Sequence, residues 1–397
     1  MSGNKPCIVF INHWARATGG AEISLIDILK DIAPLTETHL ITSENGRLCE
    51  IASELKCTVH VINCSENLAG LRRNSNTFSI LYRWKSIVSF LKFILNVRRL
   101  VSKLNPDLIH ANVPKSHVTL FLLSISGYKR NCIYHLREIF DSGAFPEYFY
   151  SLISLLQNTV IIAISNAVRK SLPSRAAGRA ITIYNGVNTS HPSIEDALYF
   201  AQPSFLYLGR IVPWKGCNIL IEAFAKVNEK LGVKAGRLDI VGDTFYWDVS
   251  YREELRELIH KYNLEEFCNL LPYSDNPEEY YLSHNIFCTG SDREPFGRVI
   301  AEAQSFGLPV IGFANGGTVE VVENEKTGIT VPFGDINSFA DAMVRLAIDC
   351  DLRKKMGVEG RKRVLEFFNR DIQIPQISAL LLSLVQQPAH FIAVDTE

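Results

Sequence analysis

The feature that most constrains this chain is an alternation of short apolar runs with stretches of helical spacing. "CIVFIN", "THLITS", "VHVIN", "DLIHA", "NCIYHL" and "VIIAIS" come first; "FLYLG", "RLDIVG", "NIFCTG" and "PVIGF" follow. Runs that are apolar throughout, separated by helices, indicate parallel strands covered on both faces. Two series are visible. The first ends near "ITIYNGVN" (181–188) and the second opens at "PSFLYLGR" (203–210). At roughly 100–200 residues per domain, the 397 residues suit two domains. The expected architecture is α/β, with two Rossmann-like domains whose parallel sheets face each other across a cleft. Residues 1–190 would form the first domain, joined by a C-terminal helix at about 372–397, and residues 200–371 the second. The polar stretch "TSHPSIEDALYFAQ" reads as the linker and "QQPAHFIAVDTE" as a surface-lying tail.

Composition narrows the function classes. A formal net charge of -1 argues against a nucleic-acid binder acting through bulk charge. The nine cysteines form no C-x-x-C pair, a pattern of reduced thiols in a cytoplasmic protein and not of a disulfide framework or zinc site. "MSGNKPCIVFINHW" enters a strand without a secretory signal, and no apolar run is long enough to span a bilayer. The expectation is a soluble or peripheral protein.

Four clusters sit where strands should end. "HWARATGGAEISLIDIL" places Gly19 and Gly20 between a strand and a helix, where backbone can approach a phosphate. "YLGRIVPWKG" carries Arg210 and Lys215, able to face one anion together. "REPFGRVIAEAQSFGLPV" sets Glu294 and Glu302 around Pro-Phe-Gly, with Pro295 suiting the first helical position and Gly307 a helix end. Eight residues of helix rise about 12 Å, roughly a nucleotide sugar from ribose to hexose. Phosphates would then rest on the amides near Gly297, Arg298 and Val299, with a carboxylate at each end accepting from sugar hydroxyls. "NCIYHLREIF" puts His135 at a strand end. Taken singly, each cluster has a plainer reading: a tight turn, a solvated cation pair, two exposed helix carboxylates, a structural histidine.

Together, "GGAE", "AISNAVRK", "IYNGVN", "LGRIVPWKG", "EPFGRVIAEA" and "GLPVIGFANGGTVEVVENEKTG" resemble, in order, the motifs of the retaining glycosyltransferases of family 4, which have the GT-B fold. The resemblance implies transfer of a hexose-type sugar from a UDP- or GDP-sugar to a glycan or lipid-linked acceptor, with no metal and no cofactor beyond the donor. It implies that Glu294 binds the transferred sugar and supports the reaction centre, and that Glu302 binds the ribose. Arg210 and Lys215 would hold the diphosphate, Gly20 would approach it from the other domain, and His135 would lie near the sugar. The loop "LLPYSDN" would hold the base through backbone groups. The D-x-D Asp349-Cys350-Asp351 lies between two helical patterns and reads as a helix cap, not a metal site. Rival readings on the same fold are a nucleotide-sugar epimerase, a phosphorolytic enzyme and a non-catalytic partner that only binds nucleotide.

One segment points to a surface. "LRRNSNTFSILYRWKSIVSFLKFILNVRRLVSK" (71–103) carries Arg72, Arg73, Arg83, Lys85, Lys92, Arg98, Arg99 and Lys103 without an acidic residue. Leu81, Trp84, Val88, Leu91 and Leu95 recur at helical spacing among them. The segment is either a core-packed helix with a solvated basic face or a peripheral contact with anionic lipid.

Overall fold

The computed structural model describes residues 5–16, 19–64, 80–140, 143–244 and 249–386. It divides into two compact units: residues 1–164, 168–183 and 374–397 form one, and 165–167 with 184–373 the other. Each has its own core.

The first unit is a seven-stranded parallel sheet. Its strands are β1 Cys7–Ile11, β2 Glu37–Thr42, β3 Thr58–Val61, β4 Leu108–Ala111, β5 Asn131–Leu136, β6 Thr159–Ala163 and β7 Ala180–Thr182. They run in the order β3-β2-β1-β4-β5-β6-β7. The register pairs Val9 with both His39 and Ile109, and His110 with Ile133. β4 and β5 are buried at every position, which is why their sequences lack alternation. Ile374, Ile377, Leu381 and Leu384 of the helix Arg370–Gln386 join this core.

The second unit is a six-stranded parallel sheet in the order β10-β9-β8-β11-β12-β13. Its strands are β8 Ser204–Leu208, β9 Arg237–Val241, β10 Cys268–Leu271, β11 Ile286–Thr289, β12 Val310–Phe313 and β13 Gly328–Val331. Phe205, Leu220, Phe224, Ile240, Phe339 and Met343 lie at the heart of its core.

In both sheets the winding reverses once: between β1 and β4 in the first, and between β8 and β11 in the second. At such a switch point neighbouring loops leave in opposite directions and open a crevice at the strands' carboxyl ends, where open α/β sheets bind ligands. This topology decides where chemistry can occur in each unit.

The stretch read as a linker is packed structure of the second unit. Ile194 and Tyr199 are buried, residues Asp196–Phe200 form a short helix, and the Tyr199 hydroxyl donates to the Gly307 carbonyl at 2.8 Å. The division of the chain falls instead at 183/184 and 373/374. The tail from residue 387 onward and the cations Arg72 and Arg73 lie outside the described residues.

The helix Ile80–Leu104 serves two environments. Phe93, Val97 and Val101 are buried, whereas Val88, Leu91 and Leu95 are exposed at 44%, 52% and 54%. At about 100° per residue, that apolar stripe lies on the side opposite the core face. Lys92, Arg98, Arg99 and Lys103, all exposed, flank it. The side chains of Leu81, Arg83, Trp84 and Lys85 lie outside the described part. No described helix is long and apolar enough to cross a membrane.

Candidate active site

The two loops at the second unit's switch point carry most of the residues singled out above. After β8 the chain passes Arg210 and makes a short 3-10 turn, Pro213–Lys215, before the helix Cys217–Leu231. The Tyr207 hydroxyl donates to the Arg210 carbonyl at 2.7 Å and props this loop from below. After β11 the chain passes Arg293, Glu294 and Pro295 to reach Gly297, the cap of the helix Arg298–Ser305.

Two glycines lock these loops together. A Cβ on Gly216 would stand 2.1 Å from the Gly290 carbonyl oxygen, and one on Gly290 would stand 2.5 Å from the Gly216 oxygen. Gly216 also has a left-handed φ of 67°. The Asp292 amide donates to the Trp214 carbonyl at 2.9 Å across the same seam. The contact brings Lys215 onto Glu294, and its ammonium donates to Glu294 Oε2. Both side chains are nearly buried, at 11% and 10% exposure, so solvent screens their attraction little. The Lys215 ammonium also lies 4.5 Å from the Trp214 ring, and the exposed Arg210 guanidinium lies 5.6 Å from it. Both cations thus lie within cation–π reach of one indole ring.

The helix that follows starts later than its sequence implies. Pro295 precedes it, and Gly297, with φ 92°, is the cap; only Arg298–Ser305 is helical. Glu294 therefore projects from the loop, and the eight-residue helical rise between the two glutamates does not apply. Arg298 and Val299 occupy the first turn, whose amides have no intrahelical acceptor. Glu302 is fixed from two sides: Arg298 Nε donates to Oε1 at 2.8 Å and the Tyr281 hydroxyl to Oε2 at 3.2 Å. Burial, then the Glu302 charge, pushes the Tyr281 hydroxyl well above its ordinary pKa, so it stays a donor. Each Glu302 oxygen retains acceptor capacity for a hydroxyl. Arg298 Nη1 donates in addition to the Gly186 carbonyl at 3.3 Å, within "IYNGVN".

Some supporting residues escape sequence reasoning. Trp214 and Tyr281 carry no motif signal of their own. The Gly316–Gly317 loop after β12 does: a Gly-Gly following "PVIGF" repeats the pattern seen after the first strand. The Gly317 amide donates to the Glu294 carbonyl at 2.6 Å, fixing the backbone of that glutamate. The "LLPYSDN" loop leaves β10, at the edge of the same sheet's carboxyl end.

In the first unit, Gly20 opens the helix Gly20–Ile32 after β1. His135, in β5, is wholly buried. Its Nδ1 lies 3.1 Å from His110 Nε2 and 3.4 Å from Arg137 Nη2. Burial first, and the Arg137 charge second, hold His135 well below the ordinary histidine pKa. The neighbouring His110 is lowered to about 3, again mainly by burial.

Elsewhere, Asp349 caps the helix Cys350–Phe367 by accepting from the Leu352 amide, as its position implied. Among the described residues one cluster has metal-ligand chemistry, Cys7, Glu37 and His39. It starts β1 and β2, at the amino end of the sheet and away from the switch point. There His39 is hydrogen-bonded between Glu37 and His60.

The profile of glycosyl transferases group 1 matches residues 197–363, and that of Glycosyltransferase Family 4 matches residues 18–191. Among similar proteins, the capsular polysaccharide biosynthesis glycosyltransferase CapM of Staphylococcus aureus is 24% identical over 371 residues, 88% of this chain and 91% of that one. A GDP-mannose-dependent alpha-(1-6)-phosphatidylinositol monomannoside mannosyltransferase of Mycobacterium tuberculosis is 32% identical over 173 residues, 41% of this chain and 43% of that one. The chain therefore spans less than half of that second relative. The fold matches Anabaena Alr3699/HepE, solved in complex with UDP and glucose, with a TM-score of 0.76 at 23% identity over 95% of this chain and 99% of that one. The two matches follow one another along the chain and together cover most of it, and the chain belongs to the group 1 glycosyltransferases of family 4, with the GT-B fold.

Proposed function

We propose that the protein moves a hexose from a UDP- or GDP-sugar to an acceptor hydroxyl of a cell-surface glycan, lipid-linked or polysaccharide, with retention of anomeric configuration and without a metal. The Lys215–Glu294 pair carries this reading. It sets a cation for the leaving diphosphate beside a carboxylate for the sugar, on adjacent switch-point loops. Arg210 and the amides of Arg298 and Val299 extend the anion site. Glu302, held by Arg298 and Tyr281, is preset to accept the ribose hydroxyls. Because Glu294 is bound to Lys215, it is poorly placed as a covalent nucleophile, which favours departure and attack on one face of the sugar. The leaving diphosphate would then take the acceptor's proton. UDP and glucose in HepE, GDP-mannose in the mycobacterial relative's name and capsular polysaccharide in that of CapM support the substrate class.

Donor titration by calorimetry tests the assignment. Glu302→Ala removes a charged hydrogen-bond acceptor, worth about 1.5–3 kcal/mol, and is expected to weaken donor binding about ten- to hundred-fold. Wild-type affinity in this variant would refute the ribose role. A merely structural, nucleotide-binding partner has no evident need for Glu294, Glu302, Arg210 and Lys215 together.

The acceptor side of the proposal rests on the helix Ile80–Leu104. Its exposed stripe of Val88, Leu91 and Leu95, flanked by Lys92, Arg99 and Lys103, suits the surface of an anionic bilayer. Each cation near such a surface contributes about 1 kcal/mol. Liposome flotation should show salt-sensitive binding to anionic vesicles, reduced at least about tenfold when Lys92, Arg99 and Lys103 become glutamate. A wild-type protein that ignores anionic vesicles at low salt would point to a soluble acceptor instead.

A further inference from the structure

Spacing along the chain excludes a zinc site of the C-x-x-C kind, but a parallel sheet can also bring metal ligands together across strands. This happens at the amino end of the first unit's sheet. Cys7 opens β1 and Glu37 opens β2, and the register sets the two opposite each other. His39 lies two residues further along β2, so its side chain leaves on the same face as that of Glu37. One donor atom from each residue lies within 4.8 Å of the other two: the Cys7 thiol, a Glu37 carboxylate oxygen and a His39 ring nitrogen.

These donors suit one metal better than others. Zinc holds thiolate sulfur at about 2.3 Å and imidazole nitrogen or carboxylate oxygen at about 2.0–2.2 Å. A tetrahedron with those bond lengths puts its ligand atoms about 3.3–3.8 Å from one another. His39 Nε2 and Glu37 Oε1 already stand 3.2 Å apart. The remaining adjustment, about 1 Å at most, is within reach of a turn of the cysteine and of the Glu37 side chain, which is 62% exposed. Magnesium and calcium take shells of oxygen, so a thiol and an imidazole select against them.

The surroundings fit a ligand set. The His39 side chain is buried at the base of the cluster and Glu37 stands open to solvent, which leaves an ion a way in. His60 of β3 lies on the same face, and its Nε2 is 3.0 Å from His39 Nδ1. A metal on His39 Nε2 takes the lone pair there and leaves the ring proton on Nδ1, where His60 Nε2 accepts it. Metal-bound histidines are held at their second nitrogen in this way. Behind the thiol, the Cys7 amide donates to Asp107 Oδ2 at 2.9 Å, and Arg130 pairs with Asp107 at 2.8 Å. The backbone that carries the sulfur is thereby fixed. A plain hydrogen bond from His39 to Glu37 accounts for two of the three residues but gives the thiol no part.

We propose that Cys7, Glu37 and His39 form a zinc site, with His60 as the positioning residue for the His39 ring and water as the fourth ligand, and that the ion clamps the starts of β1 and β2. Binding exchanges a proton for the metal: zinc takes the sulfur as thiolate, and the thiol proton leaves to solvent. The length of β1, about 13 Å, separates the site from the switch point at the strands' carboxyl ends. The ion therefore serves stability and not sugar transfer, and its assignment does not depend on the function proposed above.

Metal titration of the full chain tests the proposal. Protein stripped with a chelator and dialysed should bind one equivalent of zinc in competition with a chromophoric chelator. Cobalt in place of zinc should give the spectrum of a tetrahedral ion with a sulfur-to-metal charge-transfer band. Cys7→Ser should abolish that band, and both Cys7→Ser and His39→Gln should weaken zinc binding by more than the about ten- to hundred-fold expected of His60→Ala. Cys350→Ser, at the half-buried cysteine between Asp349 and Asp351, should change neither readout. Zinc should also raise the thermal midpoint of the wild type and leave that of Cys7→Ser where it was. A wild-type protein that binds no zinc, or that binds cobalt without the sulfur band, overturns the proposal whatever the variants do. So does wild-type zinc affinity in folded Cys7→Ser and His39→Gln. Binding without a thermal shift would overturn the clamp.

Discussion

Lys215→Met should lose about 3–5 kcal/mol of stability and, in the same protein, about ten- to hundred-fold of donor affinity. The stability loss follows from burial. Glu294 is 10% exposed and its partner 11%, so removing the ammonium leaves a carboxylate without counter-charge where water cannot replace it. The affinity loss follows from the same ammonium's second task at the diphosphate. Glu294→Gln should instead act chiefly on turnover, by about 10²–10³-fold, because the carboxylate's charge matters most when positive charge develops on the sugar. The double variant Lys215→Met with Glu294→Gln separates the two tasks. Removing both charges should restore much of the stability, as replacing a whole buried pair often does, while leaving the protein inactive. Urea unfolding of the three variants closes a double-mutant cycle. Additive losses would mean that the pair is not an energetic unit, and its role as the heart of the site would fall with it.

Gly216→Ala should lose on the order of a hundredfold or more in turnover, though neither glycine has a side chain to touch a substrate. The seam between the loops is backbone on backbone, with a Cβ at position 216 only 2.1 Å from the Gly290 oxygen. Neither loop can yield by turning a side chain, so they must part. A displacement of about 1 Å at a reacting group can cost about a hundredfold. Gly290→Ala probes the opposite side of the seam without a left-handed φ, and should show a similar fall. Gly334→Ala is the control. It has φ 80°, so it carries the about 1–2 kcal/mol strain of a left-handed residue, but nothing lies within 4 Å of its Cβ. Its stability should fall and its turnover should not. Equal turnover losses at positions 216 and 334 would show that backbone strain, and not the seam, sets the effect.

The fold was legible because β4 and β5 are apolar at seven of their ten residues without strict alternation, as burial on both faces of a parallel sheet requires. The switch points were not, since strand order depends on which edges pair and no local signal records that. The site residues were legible as types placed after strands, but their partnerships were not. Lys215 and Glu294 stand 79 positions apart, and nothing in either motif says that the two hold each other. Pro295 misled because its preference for a first helical position yields to Gly297, whose left-handed φ makes it the cap and starts the helix three residues later, at Arg298. The stretch 189–202 misled by its polarity. Ile194 and Tyr199 were the signals against a linker, and both are buried. His135 lies near a strand end as expected, yet its contacts with His110, 25 positions away on the neighbouring strand, and with Arg137 carry no signal in its own run.

In the proposed reaction, Lys215, Arg210 and the amino end of the helix Arg298–Ser305 support departure of a nucleoside diphosphate without a metal. The most direct test is release of UDP or GDP from a panel of nucleotide sugars by wild-type protein held in excess EDTA. At least one donor should be turned over at a rate that EDTA does not change and that Lys215→Met abolishes. Activity lost completely in EDTA and restored by manganese or magnesium would contradict metal-free departure.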